Sequence, residues 1–245
     1  MAAAIPAHAQ TGATPPPTVD IDNAELNKLV RDILRVGTLE RNRVMARLVE
    51  RGDPDVVPAL IQSLRFLQQD PWTVVSALQS LTGENLGTRW HAWMLWQEAH
   101  PEIEPFEGFA GYKGWVFSHI DPNFSLFLHD GVAHTIRLEE IAWGGVRKDG
   151  IPALVNPTHV APDHADAGYL QPGELVFGVE VNGDARAYPL RMMDWHEMFN
   201  DVVGGVPLAL AYCTLCGSGI LFETGVDGRD APFEFGSSGF LYRSN

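Results

Sequence analysis

The sequence predicts an α+β fold, in which a short α-helical region is followed by a mostly antiparallel β domain. Apolar residues recur at helical spacing from residue 23 to residue 100, and short β-type runs separated by Gly and Pro follow from about residue 107. The chain has 245 residues and 45% of them are hydrophobic, so a sizeable core can form without disulfides.

The first 22 residues predict the remnant of a signal peptide followed by a Pro- and Thr-rich linker. Ala7-His8-Ala9 is the small-x-small pattern that precedes signal-peptidase cleavage, and the linker at residues 11–18 comes directly after it. A basic segment and a long apolar segment are missing, so an Ala-rich terminus without a targeting role is the alternative. We expect an extracytoplasmic protein, periplasmic or secreted, without a transmembrane helix, since no apolar run approaches the ~18–20 residues that span a bilayer.

Residues 23–100 are predicted to be helical and resemble a HEAT-type repeat. Gly37, Gly52 and Gly83 end amphipathic runs, and Asp53-Pro54 supplies a helix cap followed by Pro at the first turn. Trp90, Trp93 and Trp96 recur every third residue, which favours a packed helix face over an aromatic ligand cage. A protein partner is the kind of ligand expected of such a region.

Residues 107–245 are predicted to form the β-rich domain. Val181-Asn182-Gly183-Asp184 predicts a hairpin, because Asn-Gly accepts positive φ at both central positions. A short helical piece is expected at residues 194–199. The predicted strands are residues 115–119, 135–138, 175–181, 185–189, 208–212, 220–224 and 233–235.

The charge and loop motifs exclude several ligand classes. The net charge is −14, and no stripe of Lys and Arg that would contact phosphates is present, so nucleic acid is a poor partner. Gly236-Ser237-Ser238-Gly239 lacks the Lys and the following helix of a phosphate loop, so no nucleotide cofactor is expected.

The two cysteines of the chain, Cys213 and Cys216, form one C-x-x-C motif. An apolar strand precedes Cys213, whereas Gly217 and another strand follow Cys216. A thioredoxin-type pair opens a helix whose dipole lowers the thiol pKa, so this context speaks against that arrangement. Strand, C-x-x-C-G, strand is typical of a metal-binding knuckle, and zinc or copper is the expected ion.

His196 is the best candidate for a third metal ligand, because a short turn separates it from the cysteine strand. Asp194 and Glu197 could orient its imidazole or act as acid or base. A histidine that only completes a polar network is an equally good interpretation. His159 and His164, in a Pro-rich loop, are predicted to be surface residues without a ligand.

Three stretches carry a recognisable family pattern: DGIPAL, then VFGVEVNGDARAYPLRMMDWHEMFNDVVGGVPLALAYCTLCGSGILFET, then FEFGSSGFLYRSN. On these stretches residues 107–245 resemble the bacterial and archaeal family called domain of unknown function 3179. The resemblance implies an exported or membrane-associated protein whose reaction is unassigned. Its hallmark positions fall on Arg186-Ala187-Tyr188-Pro189, Trp195-His196-Glu197, Asn200-Asp201, Gly204-Gly205 and Cys213-x-x-Cys216-Gly217.

The family pattern continues past the last residue of this chain, so the β domain is expected to be truncated at its C-terminus. Three functions follow from the residues: a thiophilic metal-binding domain, a thiol–disulfide oxidoreductase, and an interaction module in which the C-x-x-C is a local clasp. The sequence favours the first, because the Gly-Ser-Gly after Cys216 replaces the helix that a redox pair would open.

Overall fold

The computed structural model describes residues 19–67 and 69–243. The signal-peptide pattern at Ala7-His8-Ala9 lies outside the described residues. The chain divides into two compact units between Lys113 and Gly114. Helices dominate the first unit and antiparallel strands the second, which confirms the predicted α+β fold class.

Helices in the first unit begin and end where the capping residues predict. Asp22 precedes the first helix and accepts a hydrogen bond from the Glu25 N–H at 2.8 Å. Gly52 and Gly83 end two helices in the left-handed region, at φ of 72° and 78°. The helices are α1 (Asn23–Arg35), α2 (Thr38–Arg51), α3 (Val57–Phe66), α4 (Trp72–Thr82), α5 (Trp90–Ala99) and α6 (Phe109–Ser118).

Aromatic residues fill part of the helical core. Trp93 is fully buried, and its indole N–H donates to the Gly87 carbonyl at 2.8 Å, in agreement with the predicted packing face. The buried Tyr112 hydroxyl lies 2.7 Å from that of Ser63. The resemblance to a HEAT-type repeat stays a prediction, as do the predicted limits of the helical region.

The second unit contains eight strands and a helix within its described residues, arranged in three sheets. The short β1 (Ile141–Trp143) pairs antiparallel with β8 (Phe240–Tyr242). Strands β3 (Val176–Val181) and β4 (Asp184–Pro189) form a hairpin. The third sheet has the order β2-β5-β6-β7 and consists of β2 (Leu154–Val155), β5 (Met198–Val203), β6 (Val206–Cys213) and β7 (Ser218–Glu223). Helix α7 (Leu190–His196) joins β4 to β5.

The β3–β4 hairpin confirms the strongest turn prediction. Its two central residues, Asn182 and Gly183, have φ of 49° and 81°, as an Asn-Gly turn requires. A hydrophobic core joins this hairpin to the larger sheet and to α7. Its buried members include Val179, Tyr188, Met193, Phe199 and Leu210.

Several local assignments from the sequence were wrong. Residues 115–118 end α6 rather than forming a strand, because a short apolar run with aromatic residues fits either structure. Residues 135–137 and 233–235 belong to no strand. The predicted helical piece at residues 194–199 lies one turn too late, and its end belongs to β5. Among the described residues no helix has both the length and the apolar character to cross a membrane.

Candidate functional site: the cysteine hairpin

The two cysteines lie at the tip of the β6–β7 hairpin. Cys213 is the last residue of β6 and pairs with Ser218, the first residue of β7. Thr214, Leu215, Cys216 and Gly217 form the connecting turn. Gly217 has φ of 61°, a conformation that favours glycine and returns the chain into β7. The predicted order of strand, C-x-x-C-G and strand is therefore present.

Both thiols are free, and they face each other across the turn. The two Sγ atoms lie 2.9 Å apart, and the Cys216 N–H points at the Cys213 Sγ at 3.3 Å. Cys213 is half-buried, whereas Cys216 is exposed. The hydrogen bond with Cys213, together with burial and the charge of the Cys213 thiolate, raises the pKa of the Cys216 thiol above its ordinary value. The Cys216 thiol is therefore harder to ionise than an isolated cysteine.

Two carboxylates predicted to surround the site contact the strand and turn of the hairpin. The Thr214 hydroxyl donates to Glu197 Oε1 at 3.0 Å, and the Tyr212 N–H donates to the Glu197 carbonyl at 2.8 Å. Burial raises the pKa of Tyr212, and the charge of Asp194 and a hydrogen bond with it raise this pKa further. Glu197 thus holds the turn and the end of β6 through two hydrogen bonds. Asp194 interacts with Tyr212, which lies next to Cys213 on β6.

His196 ends α7, directly before Glu197, whose carbonyl accepts a hydrogen bond from the Tyr212 N–H of β6. Its Nδ1 lies 2.7 Å from the Pro152 carbonyl, and a carbonyl can only accept, so Nδ1 carries the proton. The neutral ring then has its lone pair on Nε2, which is the form that binds metals. The Pro152 carbonyl, rather than Asp194 or Glu197, fixes the orientation of the ring.

The part of the chain that the structure describes contains no group of three or more His, Cys, Asp or Glu residues placed to hold a metal ion. What it brings together is the cysteine pair and, through Thr214, Glu197. A cavity of about 280 Å³ lies beside the hairpin. Glu197, Tyr212 and Leu215 line one side of it, and the loop at residues 236–239 lines another.

Comparison with known proteins identifies the domain that contains the hairpin. Residues 148–245 match the model of one protein family, whose description is "Protein of unknown function (DUF3179)". This part of the chain carries the pattern of that family. The match confirms the resemblance predicted from the sequence over these residues. No curated protein and no solved structure matches the chain.

A second polar cluster, centred on Asp201, lies within the matched residues. His159 Nε2 and the Tyr188 hydroxyl both lie 2.7 Å from Asp201 Oδ2, and Arg186 Nη1 lies 3.6 Å from it. Burial raises the pKa of Asp201, but the hydrogen bonds from Tyr188 and His159 outweigh burial and leave this pKa below its usual value. Asp201 is therefore an ionised, largely buried carboxylate.

The interpretation of His159 as a surface residue was wrong. Its imidazole is half-buried against Asp201 and lies edge-on to the Tyr188 ring, with ring centroids 5.5 Å apart. The partner lies 42 residues further along the chain, so no local spacing indicated the pair. His164, on the same loop, is exposed as predicted.

A second carboxylate, Asp184, connects the Asp201 cluster to the β5–β6 turn through hydrogen bonds. Arg186 Nε and Nη2 donate to its two oxygens at 3.0 Å each, and the Gly204 N–H donates to Oδ2 at 3.0 Å. The hydrogen bonds from Arg186 and Gly204 lower the pKa of Asp184 to about 2. Arg186 is thereby paired with carboxylates at both ends of its guanidinium group.

Proposed function

We propose that the DUF3179 domain of this protein binds a thiophilic metal ion, zinc or copper, at Cys213 and Cys216. The observation that carries the proposal is the convergence of two free sulfurs, 2.9 Å apart, on a turn closed by Gly217. Thiolates are the ligands that copper(I) and zinc prefer. Metal binding alone is proposed for the domain, without an assigned reaction.

The donor set fits such an ion after a small side-chain rotation. Zinc–sulfur bonds are about 2.3 Å long, so two thiolates on one tetrahedral ion stand farther apart than the sulfurs do here. Cys216 is exposed and its side chain can turn outward without displacing a core residue. Both cysteines bind a metal as thiolates, so metal binding is expected to release their protons.

His196 is proposed as a further ligand, through Nε2, that the ion would recruit on binding, since no group of three donors is preassembled among the described residues. The support is its hydrogen bond to the Pro152 carbonyl, since metal-binding histidines commonly donate their other ring N–H to a carbonyl or carboxylate. Its position in the chain adds to this support, because the next residue, Glu197, accepts a hydrogen bond from Thr214 inside the C-x-x-C turn. Asp194 and Glu197 would then act around the ligands rather than as ligands.

An extracytoplasmic location is part of the proposal and rests on Ala7-His8-Ala9. A copper or zinc site with two free thiols outside the cytoplasm must compete with disulfide formation. Metal binding by the pair is therefore expected to protect it from oxidation. Cell fractionation of the full-length protein, followed by mass determination of its mature N-terminus, tests the location independently of the metal.

Metal content of the purified chain tests the site. The protein is purified under reducing conditions without chelators, and zinc and copper are quantified by mass spectrometry. One ion per chain is expected, lost in Cys213→Ser and in Cys216→Ser. His196→Gln is expected to weaken metal affinity at least about tenfold, whereas the matched control His164→Gln, an exposed histidine, leaves it unchanged. No retained metal, together with no spectral change on cobalt(II) addition, would refute the proposal.

A second candidate function is thiol–disulfide exchange, which the closeness of the two free thiols also supports. At 2.9 Å the two Sγ atoms lie about midway between the ~2.05 Å of a disulfide and the about 3.75 Å of two thiolates on a tetrahedral zinc ion. The thiols would lose two electrons and two protons to an oxidised dithiol partner, leaving a Cys213–Cys216 disulfide and a reduced partner. The absence of a helix after Cys216 argues against a strongly lowered thiol pKa.

Equilibration against dithiol redox buffers separates the two candidates. A redox function predicts a measurable reduction potential and turnover of a model disulfide by the metal-free protein. A metal site predicts that one equivalent of zinc or copper(I) suppresses both. Loss of exchange in Cys213→Ser and Cys216→Ser alone does not discriminate, so the decisive comparison is the same protein with and without the ion.

A further inference from the structure

A second cavity, away from the cysteine hairpin, adjoins the Asp201 cluster. Its volume is about 380 Å³, and it lies between strand β4 and the Pro-rich loop at residues 157–170. Neither cysteine lines it, and neither does His196. Most of the lining is apolar, with Val160, Leu170 and Met192 among it, and His159 is one of the few polar side chains.

The hydrogen-bonding partner of His159 determines which ring nitrogen donates. Asp201 is ionised and accepts only, so His159 Nε2, at 2.7 Å, carries the proton and donates. In the neutral ring Nδ1 is then the unprotonated nitrogen. No described residue forms a hydrogen bond with Nδ1, and Asp201, which takes up Nε2, does not line the cavity. His159 Nδ1 is therefore a hydrogen-bond acceptor of fixed orientation in the lining of the cavity.

Rigid packing holds this acceptor in place. The Tyr188 hydroxyl donates to the same Asp201 oxygen, and the Tyr188 ring stacks on Phe199 with centroids 3.9 Å apart. The Val202 N–H donates to the other oxygen of Asp201 at 2.8 Å. Two strands, β4 and β5, thus fix the carboxylate, and the carboxylate fixes the imidazole. Such support is what a binding residue needs to keep one geometry.

The charges around the cavity select an uncharged ligand. Arg186 lines the cavity, but Asp184 binds its Nε and Nη2, and Asp201 lies beside its Nη1. Arg191, which approaches the Tyr169 ring, is paired with Glu174 at 2.8 Å. Because carboxylates neutralise both guanidinium groups, neither is available to bind an anion.

We infer that this cavity is a second ligand site, which binds a small, uncharged and mainly apolar molecule carrying one hydroxyl or N–H group, with His159 Nδ1 accepting its hydrogen bond. His159 is the specificity-determining residue, and Asp201 and Tyr188 position it. The site is independent of metal binding at the cysteine hairpin, so each can fail without the other.

A phenol and its methyl ether test this inference on the unaltered full chain. The probes are 4-ethylphenol and 4-ethylanisole, which have the same apolar body and differ in the hydrogen-bond donor. Binding is followed by NMR of the imidazole nitrogens. We expect 4-ethylphenol to move the His159 Nδ1 resonance saturably, and 4-ethylanisole to bind at least about tenfold more weakly, because it leaves the acceptor unpaired. Equal affinity for the two probes, or no saturable shift at His159, would overturn the inference.

Two variants assign the effect to His159. In His159→Phe an aromatic ring remains beside Tyr188 but no hydrogen-bond acceptor does, so discrimination between the two probes is expected to disappear. His164→Phe, on the same loop and exposed, is the matched control and should retain it. If both variants keep the tenfold discrimination, another residue accepts the hydrogen bond and the inference is wrong. The comparison of the two probes on the unaltered protein stands even if His159→Phe fails to fold.

Discussion

Asn200 and Phe235 exchange two hydrogen bonds, although Phe235 lies in no strand. Asn200 Nδ2 donates to the Phe235 carbonyl at 2.8 Å, and the Phe235 N–H donates to Asn200 Oδ1 at 2.8 Å. The Asn200 side chain thus forms hydrogen bonds with both the N–H and the carbonyl of Phe235, as the backbone of a neighbouring strand would. Residues 236–239 follow directly and line the cavity beside the cysteine hairpin, so Asn200 holds one wall of that cavity.

Replacing Asn200 with Ala is expected to destabilise the chain by about 2 kcal/mol. Both polar groups of Phe235 lose their partner, and a protein hydrogen bond contributes about 0.5–1.5 kcal/mol net, so two of them amount to about 2 kcal/mol. The measurement is the free energy of unfolding from urea denaturation.

The control for Asn200 is Asn85→Ala. Asn85 is exposed and its side chain bonds only with Gln79 among the described contacts, so a change below about 0.5 kcal/mol is expected. If Asn200→Ala and Asn85→Ala cost the same, the double hydrogen bond contributes nothing and the assigned role of Asn200 is wrong.

Gly204 and Gly205 provide a matched pair for the β5–β6 turn. Both have positive φ, 55° and 82°, but a Cβ on Gly204 would lie 2.1 Å from the Val181 carbonyl oxygen, and one on Gly205 meets nothing within 4 Å. Ala at either position carries the strain of the left-handed region, about 1–2 kcal/mol. Gly204→Ala adds a backbone clash.

We expect Gly204→Ala to cost at least about 2 kcal/mol more than Gly205→Ala, since the clash is with main chain and cannot be relieved by a side-chain rotation. Thermal denaturation of the two variants, measured side by side, gives the difference. Equal melting temperatures would show that the turn and the β3–β4 hairpin separate readily, contrary to the contacts between Gly204 and Val181.

Local signals predicted the elements that local chemistry determines. Asn182-Gly183 predicted the β3–β4 hairpin, and Cys213 with Gly217 predicted the tip of the β6–β7 hairpin, since both depend on turn residues a few positions apart. Helices α1 to α5 of the first unit followed from caps and apolar spacing, whereas α6 did not. Apolar runs of four or five residues with aromatics, such as residues 115–119, fit a helix and a strand equally well.

Long-range pairing explains what the sequence missed. Strand β5 contains Asn200 and Asp201, two buried polar residues that break the alternation expected of a strand. Their partners, Phe235 and His159, lie 35 and 42 residues away, so nothing in the neighbouring sequence indicated how they would be satisfied. The Asp201 cluster consists of such contacts. For the same reason the sequence selected the C-x-x-C, a local motif, as the site.

Acid is expected to weaken the second unit through Asp184. Its pKa is about 2 in the folded protein and about 3.9 in an unfolded chain, so folding releases a proton between these values. A lowered folded-state pKa contributes stability that is full above about pH 4 and is lost as pH falls toward 2. The lowered pKa of Asp201 acts in the same direction.

Asp184→Asn is expected to flatten the dependence of unfolding free energy on pH between about pH 4 and 2. The variant keeps an oxygen for the Gly204 N–H but loses the charge that Arg186 binds. Denaturation at a series of pH values measures the slope. Asp227→Asn, at an exposed position in the loop after β7, should leave the slope intact. An unchanged slope in Asp184→Asn would contradict the assignment of this pKa shift to the ion pair.

Removing Cys213 is expected to lower the pKa of Cys216. Its raised pKa comes first from the hydrogen bond with Cys213, and the charge of the Cys213 thiolate also raises it, so both contributions vanish in Cys213→Ser apart from a weaker hydroxyl contact. The Cys216 thiol should therefore ionise at lower pH than the second thiol of the unaltered protein. Ultraviolet absorbance of the thiolate and the pH dependence of alkylation, both with a chelator present, measure the pKa of Cys216.

Ser218→Ala, at the opposite side of the hairpin tip, keeps both sulfurs and is expected to preserve two separated ionisations. Identical Cys216 ionisation with and without Cys213 would mean that the two sulfurs do not interact in solution, and the dithiol on which both proposed functions depend would be lost.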